Sequence, residues 1–201
     1  MEYLNFTLTV FIGFFAIMNP IAGIPVYLSM VEGADDKKKQ TISKKAPLVA
    51  FIITLIFILF GVSIFNLFGI TIPAFKITGG ILIFYVGFEI LQSKQSTVKH
   101  LKKPIIDENI AISPISIPLL AGPGTIVTAM HFVTEAGPVK IGIVIFIFAF
   151  MCFLTYLCFS LSEIIVSKIG NNLIKAFGKI MGLIISIIGT TMVIEGIKSS
   201  F

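Results

Sequence analysis

Long apolar runs of about twenty residues, separated by short charged or turn-rich stretches, constrain this chain more than any other feature. At ~1.5 Å of rise per residue, roughly 20 apolar residues cross the hydrocarbon core of a bilayer. Six blocks meet that requirement: about Leu4–Met30, Pro47–Phe68, Pro73–Leu91, Ile110–Thr134, Ile141–Leu161 and Leu173–Ile197. Charged residues make up 12% of the chain, against roughly 25% in a soluble domain. The expectation is therefore an all-α polytopic membrane protein, with residues 1–201 forming a single membrane domain. Its first partner is the lipid bilayer.

The segment before the first apolar run, Met1-Glu2-Tyr3-Leu4, carries no basic region, and the run itself is longer than a signal-peptide core. It reads as a retained span. The net charge of +5 comes from 15 lysines and no arginine, and these lysines lie between the spans. Arginine is the usual base-reading side chain, so nucleic acid is excluded as a partner. Cys152 and Cys158 stand six apart in one apolar run, on different faces of a helix, and read as packing residues. No metal or cofactor framework is legible.

Lysine placement sets an orientation. Lys37, Lys38, Lys39, Lys44 and Lys45 follow the first span; Lys94, Lys99, Lys102 and Lys103 follow the third; Lys168, Lys175 and Lys179 follow the fifth. Only Lys76, Lys140 and Lys198 fall at the other side. The positive-inside rule then puts the 31–45, 93–109 and 162–173 loops in the cytoplasm and both termini outside.

The helix breakers suggest a repeat. Span one contains Asn19-Pro20-Ile21-Ala22-Gly23-Ile24-Pro25, and span four contains Ser113-Pro114 through Pro118-Leu119-Leu120-Ala121-Gly122-Pro123-Gly124. Pro20 and Pro123 are 103 residues apart, while the glycine pairs Gly80/Gly87 and Gly182/Gly189 recur at 102. Two halves of three spans each, about 1–95 and 104–201, insert with opposite orientation. Inverted repeats with helices interrupted at corresponding places point to a binding site near mid-membrane. Proline removes an N–H and clashes with the preceding turn. The freed backbone groups have to be buried in protein or line a polar cavity.

Two segments carry a resemblance: Met18-Asn19-Pro20-Ile21-Ala22-Gly23-Ile24-Pro25-Val26-Tyr27-Leu28, and Pro118-Leu119-Leu120-Ala121-Gly122-Pro123-Gly124-Thr125-Ile126. With the Lys76-Ile77-Thr78-Gly79-Gly80-Ile81 opening of span three, they resemble the MarC family, which is grouped with the LysE-type superfamily. The resemblance implies a multi-pass protein of the plasma or inner membrane. It further implies a carrier of small neutral amino acids such as glycine or alanine, with proton coupling.

The candidate substrate-binding residues lie at the two breaks: Asn19, Pro20, Gly23 and Pro25 in span one, and Gly122, Pro123, Gly124, Thr125 and Thr128 in span four. A half-helix restarting at Gly122-Pro123-Gly124-Thr125 offers N–H groups and a positive dipole end to a carboxylate. Carbonyls before Asn19-Pro20 suit an ammonium. The alternative for Asn19 is a helix cap, and for Thr125 and Thr128 interhelical packing. Glu89, inside span three, is a candidate for proton coupling, against snorkelling or pairing with a loop lysine. Glu163, Glu195 and His131 read as interfacial, and the glycines of spans three and six as packing. No Asp lies in a span, and the only histidines are His100 and His131. An enzyme is therefore not expected. A channel or passive facilitator, and a membrane scaffold without flux, stay open beside the carrier.

Overall fold

The computed structural model describes residues 1–92, 120–134 and 136–200. These form eight helices: α1 (Glu2–Met18), α2 (Gly23–Met30), α3 (Asp36–Phe68), α4 (Ile72–Leu91), α5 (Pro123–Val133), α6 (Pro138–Ser160), α7 (Ser162–Ile169) and α8 (Asn171–Lys198). Five segments are long and apolar enough to cross a membrane: Glu2–Leu28, Asp36–Phe68, Ile72–Leu91, Pro138–Ser160 and Asn172–Lys198. The protein is a polytopic, all-helical membrane protein over the described residues. Of the expected fourth span, the structure describes only the short apolar helix α5 and the turn before it. Its first part with Pro114 and Pro118, and the expected loop 93–109 with Lys94, Lys99, His100, Lys102 and Lys103, lie outside the described residues.

Two expected loops are helical instead. Most of the 31–45 stretch belongs to α3, which starts at Asp36 and runs unbroken for 33 residues, about 50 Å at 1.5 Å per residue. The reason is local: the Asp35 side chain accepts from the Lys38 N–H at 2.7 Å, an N-cap that starts a helix ahead of the lysines. That length exceeds the ~30 Å hydrocarbon core, so the lysine-bearing turns of α3 project beyond it. Likewise, residues 162–169 form α7 in place of a loop.

Ion pairs mark the two ends. Lys39 Nζ lies 2.8 Å from Glu163 Oε1, joining α3 to α7. At the opposite end Lys140 Nζ lies 2.8 Å from Glu2 Oε1, and Lys76 Nζ 3.7 Å from Glu195 Oε2.

Packing falls into three parts. At the end holding the Glu2–Lys140 pair, an aromatic-rich cluster joins Phe14 of α1, Phe65 of α3, Met130 of α5 and Phe148 of α6. Nearer the lysine-rich end, a second cluster joins Tyr27, Ala46, Ala50, Leu120, Ala121 and Phe159. A third, with Ala16, Ile83, Val127 and Ile185, ties the pair α4–α8 to α1 and α5.

Helices α4 and α8 run antiparallel and touch backbone to backbone. A Cβ on Gly80 would stand 2.6 Å from the Gly189 carbonyl oxygen, and one on Gly87 2.6 Å from that of Gly182. Only glycine allows that approach, as expected for small-residue helix interfaces in lipid. The pairing is reciprocal, Gly80 with Gly189 and Gly87 with Gly182. Gly178 faces elsewhere: its Cβ position is 3.2 Å from the Ala22 Cβ, at the first break.

Candidate functional site

The first break is a single left-handed residue. Asn19 follows α1 with φ 41° and ψ 62°, and it is the one non-glycine residue at positive φ among those described. Asparagine tolerates this region better than other side chains. Its N–H still donates to the Phe15 carbonyl at 3.0 Å, closing α1. Its carbonyl accepts from Gly23 N–H at 3.0 Å, and its side-chain Oδ1 accepts from Ala22 N–H at 3.4 Å, opening α2. The capping role weighed for Asn19 is thus filled by its oxygens.

The prolines act differently from each other. Pro20, buried after Asn19, has no N–H to return to the Ala16 carbonyl. The Ala22 N–H goes to Asn19 instead of the Met18 carbonyl. The last turn of α1 therefore presents carbonyls to the break. Pro25 sits in the first turn of α2, where a missing N–H costs the helix nothing.

At the second break Gly122 is the extended N-cap of α5, Pro123 is its first residue, and no side chain caps it. The N–H groups of Gly124 and Thr125 head this helix. Thr125 spends its hydroxyl on the turn itself, donating to the Leu120 carbonyl at 2.7 Å. Its place in the site is to shape the break, and this was not legible from spacing.

The two breaks meet. The position of a Gly124 Cβ is 2.9 Å from Ile17 Cδ1, two residues before Asn19. A Gly13 Cβ would stand 2.9 Å from Phe132 and 3.7 Å from Thr128 Cγ2, so α1 and α5 run antiparallel. The carbonyl end of α1 and the amide end of α5 therefore lie at one level, with opposite partial charges.

A polar waist surrounds this junction. On each of four helical segments a buried polar side chain stands where the chain passes between the two apolar clusters. On α1–α2 it is Asn19, between Met18 and Tyr27; on α3 it is Thr54, between Ala50 and Ile58. On α5 they are Thr125 and Thr128, between Ala121 and Ala129; on α6 it is Thr155, between Cys152 and Phe159. Thr155 donates to the Met151 carbonyl at 2.8 Å and lies toward the lysine-rich end. Three other groups have no hydrogen-bond partner among the described residues: Asn19 Nδ2, Thr54 Oγ1 and Thr128 Oγ1. Leaving such a group unsatisfied costs about 1–3 kcal/mol in a protein interior. Sequence reasoning passed over Thr54 and Thr155. Their only signal was a lone hydroxyl in an apolar run, on a face that spacing alone does not identify.

Toward the lysine-rich end the waist is bounded by one aromatic pair. The Tyr27 and Phe159 rings stack at 4.5 Å and 7°, and the Tyr27 hydroxyl donates to the Lys39 carbonyl at 2.9 Å. Gly23 packs on Phe159, its Cβ position 3.4 Å from the ring. Beyond the stack lies a pocket of about 470 Å³, lined among others by Ser43, Tyr156, Ser160 and the Lys39–Glu163 pair.

A model described as MarC family integral membrane protein matches residues 4–201. The chain belongs to the MarC family. It is 37% identical over 205 residues to the UPF0056 membrane protein YvbG of Bacillus subtilis, across 98% of this chain and 96% of that one. A UPF0056 membrane protein of Pyrococcus horikoshii is 36% identical over 201 residues, across 100% and 98%. One from Aquifex aeolicus is 32% identical over 197 residues, across 94% and 91%. No solved structure matches the chain.

Within this MarC-family chain, the remaining ionisable candidates lie away from the waist. Glu89 lies beside the Tyr85 hydroxyl, one turn back on α4. Tyr85 is exposed there, on the side away from the glycine seam. His131 stands with its ring 5.4 Å from Phe132. Glu163 and Glu195 sit in the end ion pairs described above.

Proposed function

We propose that this MarC-family protein is a secondary carrier of small neutral amino acids, glycine or alanine in size, across the plasma or inner membrane. One observation carries the reading: the opposed helix ends of the two breaks meet inside a buried ring of uncharged hydrogen-bonding groups. A zwitterion matches that arrangement. Its ammonium faces the carbonyl end of α1, and its carboxylate faces the Gly124 and Thr125 amides at the head of α5. Asn19 and Thr128 add side-chain hydrogen bonds. Gly122, Pro123, Pro20 and Pro25 shape the two helix restarts, and Gly23 and Gly124 keep the junction narrow through Phe159 and Ile17. Ionised side chains are expensive at mid-membrane, and the waist holds none among the described residues.

The two-half organisation, about 1–95 and 104–201, belongs to the same proposal. Gly80 and Gly87 recur 102 residues later as Gly182 and Gly189. Each meets the other's counterpart, as an antiparallel two-fold relation between halves requires. On the six-span reading of the sequence, both termini lie outside and the lysine-rich turns in the cytoplasm. Apolar clusters bound the waist on both sides, which suits an occluded carrier site better than an open pore. Proton coupling is assigned to Glu89, in the last turn of α4, and Glu89→Gln should abolish the pH dependence of uptake.

The test is the thermal stability of the purified protein across an amino acid panel. A ligand at about 100 times its Kd stabilises by about 2.7 kcal/mol. Glycine and alanine should raise the midpoint, and large or charged amino acids should not. Saturable counterflow of labelled glycine in proteoliposomes completes it. Conductance without saturation would select the channel, and a flat panel with no flux would select the scaffold.

A further inference from the structure

Thr54 is the waist residue that the two breaks do not explain. It is fully buried on α3, and its hydroxyl has no partner among the described residues. A threonine in a helix ordinarily returns its hydroxyl to the carbonyl four residues back, and Thr7, Thr9, Thr41, Thr134, Thr155, Thr190 and Thr191 all do so here. Thr54 does not.

Its level can be fixed from a neighbouring contact. The Cβ position of Gly61 on α3 falls against the Met130 side chain of α5. Residues Ala50 and Ala121 share the cluster below, so α3 and α5 run side by side in the same direction. Seven residues are nearly two full turns, about 10 Å, and return to the same face. Stepping back seven from Gly61 gives Thr54, and stepping back seven from Met130 gives Pro123. Thr54 therefore stands opposite the uncapped head of α5. Ile17 against Gly124 brings Asn19 to the same level from α1. Thr128, one turn into α5, leans its side chain back toward that head.

We infer that Thr54, Asn19 and Thr128 form a carboxylate subsite at the head of α5, built from uncharged donors only, so that the ligand has to bring its own positive charge. The inference rests on the carrier reading and deepens it by adding Thr54 as a donor that makes a free carboxylate a requirement on the zwitterion. The Asn19 amide and both threonine hydroxyls donate, as do the Gly124 and Thr125 amides. No lysine stands among the described buried residues, so a lone anion would meet only partial positive charges, at a cost that an attached ammonium lowers.

Thermal unfolding of the full chain with glycine, glycinamide and acetate tests this, in wild type, Thr54→Val and Thr54→Ser. Glycine should stabilise wild type and Thr54→Ser. Glycinamide, without the carboxylate, and acetate, without the ammonium, should not. In Thr54→Val the glycine concentration for half-maximal stabilisation should rise about tenfold or more, as expected for loss of a hydrogen bond to a charged group. Without ligand, Thr54→Val should be as stable as wild type or more so, because an unpartnered buried hydroxyl is replaced by a methyl of the same shape. A hydroxyl with only a structural role predicts the reverse, lower stability with unchanged glycine response, and that result overturns the inference. So does a Thr54→Val that fails to fold, or a Thr54→Ser that loses as much as Thr54→Val. If glycine stabilises wild type and Thr54→Val alike, the subsite falls and the carrier stands. If no amino acid stabilises wild type, the carrier reading itself falls.

Discussion

Two antiparallel helix pairs carry this molecule, and they solve opposite problems. Between α4 and α8 four glycines let the backbones meet directly, flanked by Ser186, Val193 and Ile90. Between α1 and α5 both backbones are interrupted, side chains separate the helix ends, and buried polar groups are left over. The first pair gains dispersion contacts and sacrifices no hydrogen bond. The second leaves donors unmatched in a medium without water, which a protein tolerates only where something else uses them. The difference separates framework from candidate site: continuous helices and glycine on one side, broken helices and hydroxyls on the other.

The largest effect should come from disturbing the seam. Gly189→Ala puts a methyl against the Phe84 backbone, which cannot retreat as a flexible side chain would. Overpacking of this kind costs about 1–3 kcal/mol, read as a lower unfolding midpoint. The reciprocity is itself testable. Gly80→Ala and Gly189→Ala share one contact and should couple by about 0.5 kcal/mol or more in a double-mutant cycle. Gly80→Ala and Gly182→Ala belong to different contacts and should come closer to additive.

At the junction, Asn19 divides into two functions that different substitutions separate. Asn19→Ala leaves a Cβ at the positive φ of 41° without the polar side chain that makes this region tolerable to asparagine, at up to about 1–2 kcal/mol, and also loses the cap on Ala22. Asn19→Gly accepts the backbone and should recover most of that stability. Neither variant keeps the amide, so both should lose glycine-induced stabilisation. A ligand response retained in Asn19→Gly would reduce Asn19 to a cap.

Thr125→Val is expected to act on the fold first. It removes the hydrogen bond to Leu120 and should cost about 1 kcal/mol, with Thr125→Ser restoring it. The smallest effect belongs to the Lys39–Glu163 pair at the lysine-rich end. Both members are partly exposed to solvent, and such pairs contribute about 0.2–1 kcal/mol. Lys39→Ala should shift the midpoint little, and less still in high salt.

Much of the framework can be read from the chain. Apolar length predicts the five spans seen among the described residues, and Phe68, Leu91 and Asn171 bound helices close to where turn residues suggest. The recurring glycines announce the seam. What escapes is anything decided by a face or by a local cap. The lysine run of 37–45 looks like a loop by charge, yet Asp35 caps it into α3. The breaks point to Asn19 and Thr128, but Thr125 turns inward to its own carbonyl. Thr54 enters the site only because α3 and α5 run in register, which no single-chain periodicity encodes.

The stacked Tyr27–Phe159 pair also has an optical consequence. The chain has no Trp and four Tyr, so tyrosine dominates its ultraviolet emission. Tyr3 and Tyr85 are exposed, while Tyr27 is buried in the stack and Tyr156 lines the adjoining pocket. Any movement that parts the two rings therefore changes the surroundings of one of only four emitters, and does so without an attached dye. At the floor of the pocket at its lysine-rich end, the protein carries a built-in spectroscopic reporter.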